Sequence, residues 1–485
     1  TFTIPNTSDQ LTVRLYGKYQ NRKDDRVERF DINYGDDALP ANSARRYYKN
    51  YPDFGSNIFA SAKYIHFFNK DLRFTFTYEY EHNYKKITSD LYRLDMIDIP
   101  ENDFIGILPS AEVYKMTLDD GNSYLNRTFE DLHRVIPRIE KTGGNLGWWC
   151  EIPINFSRNR LHYIRGSLDS KFIRNYVYIN HGYFGLSYNK NNNLIRWQGT
   201  VKTGLPDMVS MVEMTDATDP LNIIVGNPDL KQSTEFNTYI SYRRNFKPNT
   251  SLSLKCEYQE LFNALARGYF YDSSTGVRKS SMYNVDGNRF FKVGSEFNIP
   301  IGKILYFRNA IEGQRITSVD LVGADSKELF HNKVKSIDLR ESLTLSANFT
   351  NHSVYVAFDG SFRNYSANLV NFNSQDTWTF RTGLGAILNL PFNFELSTDF
   401  SVYNRRGFTD NALNTDNYVW NARLTYKVMK NSLLFMIDGY DMLKNISNVS
   451  YSINAQSRTE IVRMVLPSYL MFHIQWRFNR QPQKR

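Results

Sequence analysis

The chain is predicted to be all-β, a single large antiparallel transmembrane β-barrel, and three observations predict it. The last strand alternates without a break, with Leu470, Phe472, Ile474, Trp476 and Phe478 on one face and Met471, His473, Gln475 and Arg477 on the other. A period of two with bulky apolar residues on one side only means a strand whose faces meet different media. The same dyad of roughly ten residues recurs along the chain, which is the pattern of strands that cross a membrane as a barrel. Short turns also alternate strictly with long polar loops, as they do in barrels with short periplasmic turns and long extracellular loops.

The outward stripes follow in order. Leu72, Phe74, Phe76, Tyr78 and Tyr80 alternate with Arg73, Thr75, Thr77, Glu79 and Glu81. Phe236, Thr238, Ile240 and Tyr242 lead through Phe246-Lys247-Pro248-Asn249 to Leu252, Leu254, Cys256 and Tyr258. Val354, Val356, Phe358 and Phe362 form the next stripe, then Trp378, Phe380, Leu384, Ala386 and Leu388. Phe394, Leu396, Phe400 and Val402 precede Trp420, Ala422, Leu424, Tyr426 and Val428. Short links rich in Asn, Gly, Pro and Lys fall near 20–26, 69–71, 139–145, 189–193, 244–250, 299–303, 349–352, 389–393 and 429–432, as tight turns require. Long polar segments lie near 35–55, 85–130, 155–176, 204–232, 261–287, 314–333, 364–376, 404–417 and 442–465.

Nine short hairpins and the terminal strand give nineteen strands. Single-chain bacterial barrels of this kind carry an even number, so about 19 strands of a probable 22 are expected here, with the first three and whatever precedes them absent. Thr1 to Asn6 contains neither a charged nor an apolar leader region, so a mature or truncated form is expected. The barrel is expected to span 1–485, ending in a short basic periplasmic tail, Arg480 to Arg485.

Composition narrows the class. Mean hydropathy is −0.50, and no run of 18 apolar residues exists, which excludes helical membrane spans. The 33 Tyr and 34 Phe with only 2 Cys suit aromatic girdles and suit a disulfide-stapled domain poorly. Cys150 and Cys256 lie in separate strands, and no bridge is expected. The charge of +9 is scattered among Asp and Glu rather than gathered in a basic stripe, so nucleic acid is not expected as a partner, whereas outer-membrane lipid and lipopolysaccharide are. The eight His residues show no His-x-x-x-His spacing and the cysteines no Cys-x-x-Cys, so no metal site is expected. Neither a Gly-rich phosphate loop nor a Gly-x-Ser-x-Gly elbow occurs, and neither a catalytic residue nor a cofactor is assigned.

Three groups of residues are candidates for a role. Arg45, Arg46, Tyr47, Tyr48 and Tyr51, with Lys49, form an aromatic-basic cluster in a long loop, suited to contact with a sugar or anionic ligand. Glu395 and Asp399 lie four apart on one strand, and Arg423 and Lys427 four apart on the next. A register pairing 399 with 423 and 395 with 427 would place these lumen charges side by side as wall-bracing pairs. The segment 85–130 mixes Asp95, Asp98 and Glu101 with Leu94, Met96, Ile97 and Phe104; an apolar loop of that length is expected to pack on a surface lipoprotein or on its own barrel rim. Trp148 and Trp149 point one ring out and one in.

Two segments carry a family likeness. The stretch from Asp216 through Asp219-Pro220-Leu221 to Gly226-Asn227-Pro228-Asp229-Leu230-Lys231 resembles the "NPL…GNPdLkPE" signature of TonB-dependent-transporter-like outer-membrane barrels, with Gln232 where the family usually has Pro. The ending, from Asp438 through Asp441-Met442-Leu443-Lys444-Asn445 to Leu466-Pro467-Ser468-Tyr469, resembles that family's "D-x-L-N … LPRY…YRF", with Ser468 where Arg is common. The residues 226–231 are expected to be structural, Gly and Asn tolerating unusual backbone angles and Pro fixing φ. The resemblance implies a Gram-negative cell outer membrane and import of a nutrient such as a glycan, peptide or metal chelate. It also implies a 22-stranded barrel filled by an N-terminal plug domain, with energy from TonB through an N-terminal box. Neither plug nor box is visible in this sequence. A passive porin and the structural barrel of a surface or secretion complex are the alternatives.

Overall fold

The computed structural model describes residues 1–5, 7–32, 43–97, 108–272, 276–323, 329–368, 372, 374–409, 411–446, 449–453, 458–464, 466 and 468–477. The strands are β1 (Phe2–Thr3), β2 (Gln10–Ile32), β3 (Ser43–Phe67), β4 (Leu72–Arg93), β5 (Tyr124–Lys141), β6 (Leu146–Glu151), β7 (Ile154–Arg165), β8 (Leu168–Ile179) and β9 (Gly182–Lys190). They continue as β10 (Asn193–Gly204), β11 (Thr215–Asp216), β12 (Asn222–Val225), β13 (Ser233–Lys247), β14 (Thr250–Phe262), β15 (Ala264–Asp272), β16 (Val277–Val285), β17 (Asn288–Ile301) and β18 (Leu305–Gly323). The remainder are β19 (Phe330–Asn348), β20 (His352–Ala367), β21 (Gln375–Leu390), β22 (Phe394–Arg406), β23 (Asp416–Val428), β24 (Leu433–Tyr440), β25 (Val449–Ile453), β26 (Arg458–Val462) and β27 (Tyr469–Trp476). All but β25 and β26 join one 25-stranded sheet. Among the described residues its two flanks, β1–β2 and β27, do not pair with each other, so the sheet is open.

The register sorts side chains by medium. Trp197, Ile240, Cys256 and Val293 face one another across β10, β13, β14 and β17. One residue along, Gln198, Tyr239, Glu257, Lys292, Gln314, Asp338 and Arg363 form the next row, from β10 across to β20. Adjacent rows on a pleated sheet point to opposite sides, so one face is apolar and the other charged. The apolar face is bare: Ile240 is 48% exposed, Ile437 50% and Ile474 62%. Exposed apolar area costs about 25 cal/mol per Å² in water, and lipid removes that cost. No helix among the described residues is long and apolar enough to cross a membrane.

Strands also run where turns or loops are expected. Residues 20–26 sit inside β2, and the first tight turn is at 4–9, between β1 and β2. Nineteen strands are reached, with β1 the first, when β6–β7, β8–β9, β14–β15 and β16–β17 are each taken as one interrupted strand and β11, β12, β25 and β26 are left aside. The residues Gln20 to Arg26 are polar on both faces because this part of the strand extends beyond the apolar band, and the Arg22–Asp24 (2.7 Å) and Arg26–Glu28 (2.6 Å) pairs line its edge. Likewise 155–176 is a long hairpin, β7–β8, closed at Gly166 with φ 52°. Phe478 and the basic tail 480–485 lie outside the described residues.

The 261–287 segment is a hairpin that crosses itself. β14 and β17 pair with each other, and beyond Asn263 (φ 49°) and Gly287 (φ 100°) their continuations β15 and β16 have changed sides. β16 now lies parallel to β12, and β15 parallel to β18. The Asp286 carboxylate accepts from the Asn263 amide at 2.7 Å and the Asn284 side chain donates to the Asn263 carbonyl at 2.8 Å, which fastens the crossing. Ala264, Ala266, Val285, Val319 and Leu321 pack beneath it; the small Ala side chains let the strands pass closely.

Candidate functional site: the charged face and the segment laid across it

The inward face is a ladder of ion pairs. Glu312 accepts from Lys255 (2.6 Å) and Lys292 (2.7 Å), Asp338 from Arg340 (2.8 Å) and Arg363 (3.0 Å), and Arg134 forks onto Glu79 (2.9 Å) and Glu81 (2.8 Å). The lumen charges fall two residues out of the expected register, since Glu395 faces Thr425, Ser397 faces Arg423 and Asp399 faces Asn421. Lys427 still reaches diagonally to Glu395 at 2.5 Å. Arg423 instead forks onto Asp438 of β24, where His473 of β27 also approaches at 2.8 Å, and Asp399 accepts from Asn421 at 3.0 Å. Arg423 turns to the better partner because Asp438 lies directly opposite it. Such pairs contribute less than about 1 kcal/mol each where water reaches them; their effect is a wetted, rigid wall. Between β13 and β22 this wall encloses a cleft of about 680 Å³, lined among others by Tyr239, Arg243, Lys255, Arg363, Arg381 and Tyr403.

The segment between β10 and β13 folds back onto the inward side. Met208, Met211 and Val212 bury against Leu161 and Tyr163, which point inward from the β7 extension. Arg165, 6% exposed, pins it: its guanidinium donates to Asp216 (2.7 Å), Asn122 (2.9 Å), the Gly121 carbonyl (2.9 Å) and Thr218 (3.3 Å). Burial works to raise the Asp216 pKa, but Arg165 and Thr218 outweigh it and hold the carboxyl below its ordinary range.

The motif residues 226–231 sit at the end of this segment and hold it down. Gly226 is required by space rather than by an unusual φ, because a Cβ there would lie 1.6 Å from the Val212 carbonyl oxygen. Asn227 donates to the Met282 carbonyl at 2.8 Å and accepts from the Asp229 amide at 3.0 Å. The Pro228 carbonyl accepts from Arg174 at 3.3 Å, Leu230 is buried, and the Lys231 amide donates to Asn284 at 2.8 Å. The motif thus ties the inward segment to the crossed hairpin. The C-terminal motif is a corner: Asp441 accepts from the amides of Asn445 (3.1 Å) and Ile446 (2.9 Å), and Asn445 accepts from the Tyr418 amide (2.8 Å).

The aromatic-basic cluster is mostly packed away. Tyr47 is 1% exposed, with the Arg93 guanidinium 5.9 Å from its ring, and Tyr48, on the other face of β3, is 7% exposed because Leu94, Ile97, Leu108 and Tyr114 fold over it together with Tyr92. That places the described part of the 85–130 segment on its own rim; residues 98–107 lie outside the described residues. The Tyr48 hydroxyl donates to Asp25 at 3.2 Å, and burial first, then Asp25, pushes its pKa up to about 12. Arg46 and Tyr51 keep partial exposure, with Arg26 over the Tyr51 ring at 5.4 Å; the Arg45 side chain lies outside the described residues. Trp148 faces outward opposite Leu186, and Trp149 inward over Gly185. Arg165 carries no signal of its own in the sequence, whereas Asp216 and Asp438 each lie at the start of a quoted motif stretch.

No family model matches the chain, and no curated relative does. Among solved structures it is similar to the copper transporter OprC (TM-score 0.39, 8% identity, covering 90% of this chain and 77% of that one). It is also similar to the unliganded ferric citrate transporter FecA (0.36, 11%, 94% and 69%) and to the siderophore receptor PirA from Pseudomonas aeruginosa (0.34, 9%, 84% and 80%). Likeness at this level does not extend to substrate or mechanism.

Proposed function

We propose that the chain is the barrel portion of a TonB-dependent importer in the cell outer membrane, carrying a glycan, peptide or metal chelate. The observation that carries this reading is the two-sided sheet: an apolar outward face set against an ion-paired inward face, with the motif-bearing segment 205–231 anchored across the inward side. An N-terminal plug and TonB are the partners this reading requires, and 1–485 is its barrel, with the plug and three strands preceding it. The wetted face would guide the solute and seat the plug, and Arg46 and Tyr51 are the accessible members of the cluster left for contact at the rim. A strain deleted for the gene, compared with wild type on media each offering one scarce nutrient, tests it. Loss of growth on one medium, reproduced in the wild type by disabling TonB, supports the reading; uptake that persists without TonB contradicts it. Because the segment 205–231 lies inward as a porin's constriction does, a passive porin is the second reading, and a steady open conductance of the full-length protein in a planar bilayer would select it.

A further inference from the structure

The outward face of β4, β5, β7 and β8 is layered along the strands. Tyr78, Val135, Ile154 and Ile179 form one cross-strand row, and Tyr80, His133, Phe156 and Val177 the row above it. Higher up, Lys86, Arg127, His162 and Lys171 stand directly opposite one another. With strands about 4.8 Å apart, that row spans roughly 14 Å. Arg158 and Arg160 lie on the same face just below it. Lys86 is fourteen residues above the first residue of β4, Leu72. At about 3.3 Å per residue and a tilt near 45° this is roughly 30–35 Å above the short turns, just past an apolar band about 25 Å tall.

The cations outnumber their partners. Asp169 pairs with His162 (3.0 Å) and Lys171 (3.3 Å), and Asp131 with His82 (2.7 Å) and Arg160 (3.0 Å). Lys86, Arg127 and Arg158 make no ion pair with any described residue. Unpaired cations above an aromatic belt, on the side of the strands turned to lipid, suit phosphate groups held at head-group level. We propose that this patch binds the phosphates of outer-leaflet lipopolysaccharide; the proposal rests on the outer-membrane placement above.

The test uses the full-length protein in detergent and measures its affinity for fluorescent phosphorylated lipid A and for the same lipid after enzymatic dephosphorylation. The wild type binds the phosphorylated form roughly tenfold to a hundredfold more tightly, as a few cations near an anionic surface supply. The variant Lys86→Gln/Arg127→Gln/Arg158→Gln loses that preference, and Arg158→Lys keeps it. Equal binding of the two lipids by the wild type overturns the proposal, whether or not the triple variant folds, and so does an undiminished preference in a folded triple variant. Nutrient uptake is not read in this assay, so its failure would leave the importer reading standing, and failure of uptake would leave the lipid site standing.

Discussion

Replacing Arg165 with Met removes the clamp on the inward segment while keeping most of the stem volume. Four acceptors lose their donor at once: Asp216, Asn122, the Gly121 carbonyl and Thr218. Stripping one partner from a fully buried ion pair costs about 3–5 kcal/mol, but Asp216 keeps 25% of its side chain exposed, so water takes up part of the loss and about 1–3 kcal/mol remains. At 1.36 kcal/mol per decade, the opening equilibrium of the segment rises between about fivefold and about 150-fold. Amide hydrogen exchange reads this directly at the Gly226 amide, bonded to Met214, and the Asn227 amide, bonded to Ser210. Their protection falls by that factor, while amides of β21 and β22 on the far side of the sheet keep theirs. Asp216→Asn has a smaller effect, since its carbonyl still accepts from Arg165. If protection across 210–227 changes less than about threefold in Arg165→Met, the clamp is not what holds the segment inward.

Other outcomes follow from the same contacts. Gly226→Ala forces a methyl group onto the Val212 carbonyl, so limited proteolysis within 205–232 begins at protease concentrations that leave the wild type intact. Asp320, on the β18 extension above the apolar band, is 1% exposed, and burial pushes its pKa from 3.8 up to about 6. The folded protein therefore holds a proton there that the unfolded chain has released, and stability from this group falls as pH rises from about 4 through 6. Asp320→Asn removes that slope and stabilises the protein at pH 7 by up to about 3 kcal/mol, seen as a Tm gain at pH 7 that vanishes at pH 4. Ile240→Arg, at mid-height on the outward face, destabilises the protein in lipid by about 2–4 kcal/mol, whereas Tyr239→Arg on the inward face costs far less; equal losses in urea titrations from vesicles would contradict the assignment of faces.

The dyad made the membrane-crossing parts of the strands legible from residues alone, because lipid and water impose opposite demands on neighbouring side chains. Above the lipid that contrast ends, and so does the signal: Gln20 to Arg26 reads as a turn and runs as strand, and 155–176 reads as a loop and pairs as β7–β8. The crossed hairpin at Asn263 and Gly287 leaves no trace in periodicity, since each arm alternates normally. β22 and β23 are joined by a longer connection that opens at Gly407 (φ 85°), too long to fix a register from the sequence, and the observed register shifts the lumen charges by two. The cluster around Tyr48 looks like a ligand platform until Leu94 and Tyr114 are seen to cover that ring, a contact made between residues some fifty to seventy positions apart in the chain. Gly226 was readable as a necessity, but its reason, the Val212 carbonyl, was not.

The two native cysteines offer the most direct test of the two-sided sheet. Cys256 lies in the outward row with Ile240 and Val293, and Lys255 beside it faces inward to Glu312. In vesicles, a nitroxide at Cys256 with Cys150→Ser collides readily with oxygen and hardly at all with a water-soluble nickel chelate, and a nitroxide at Lys255→Cys, with both native cysteines replaced by Ser, shows the reverse. The same collision profile at both positions would contradict the account.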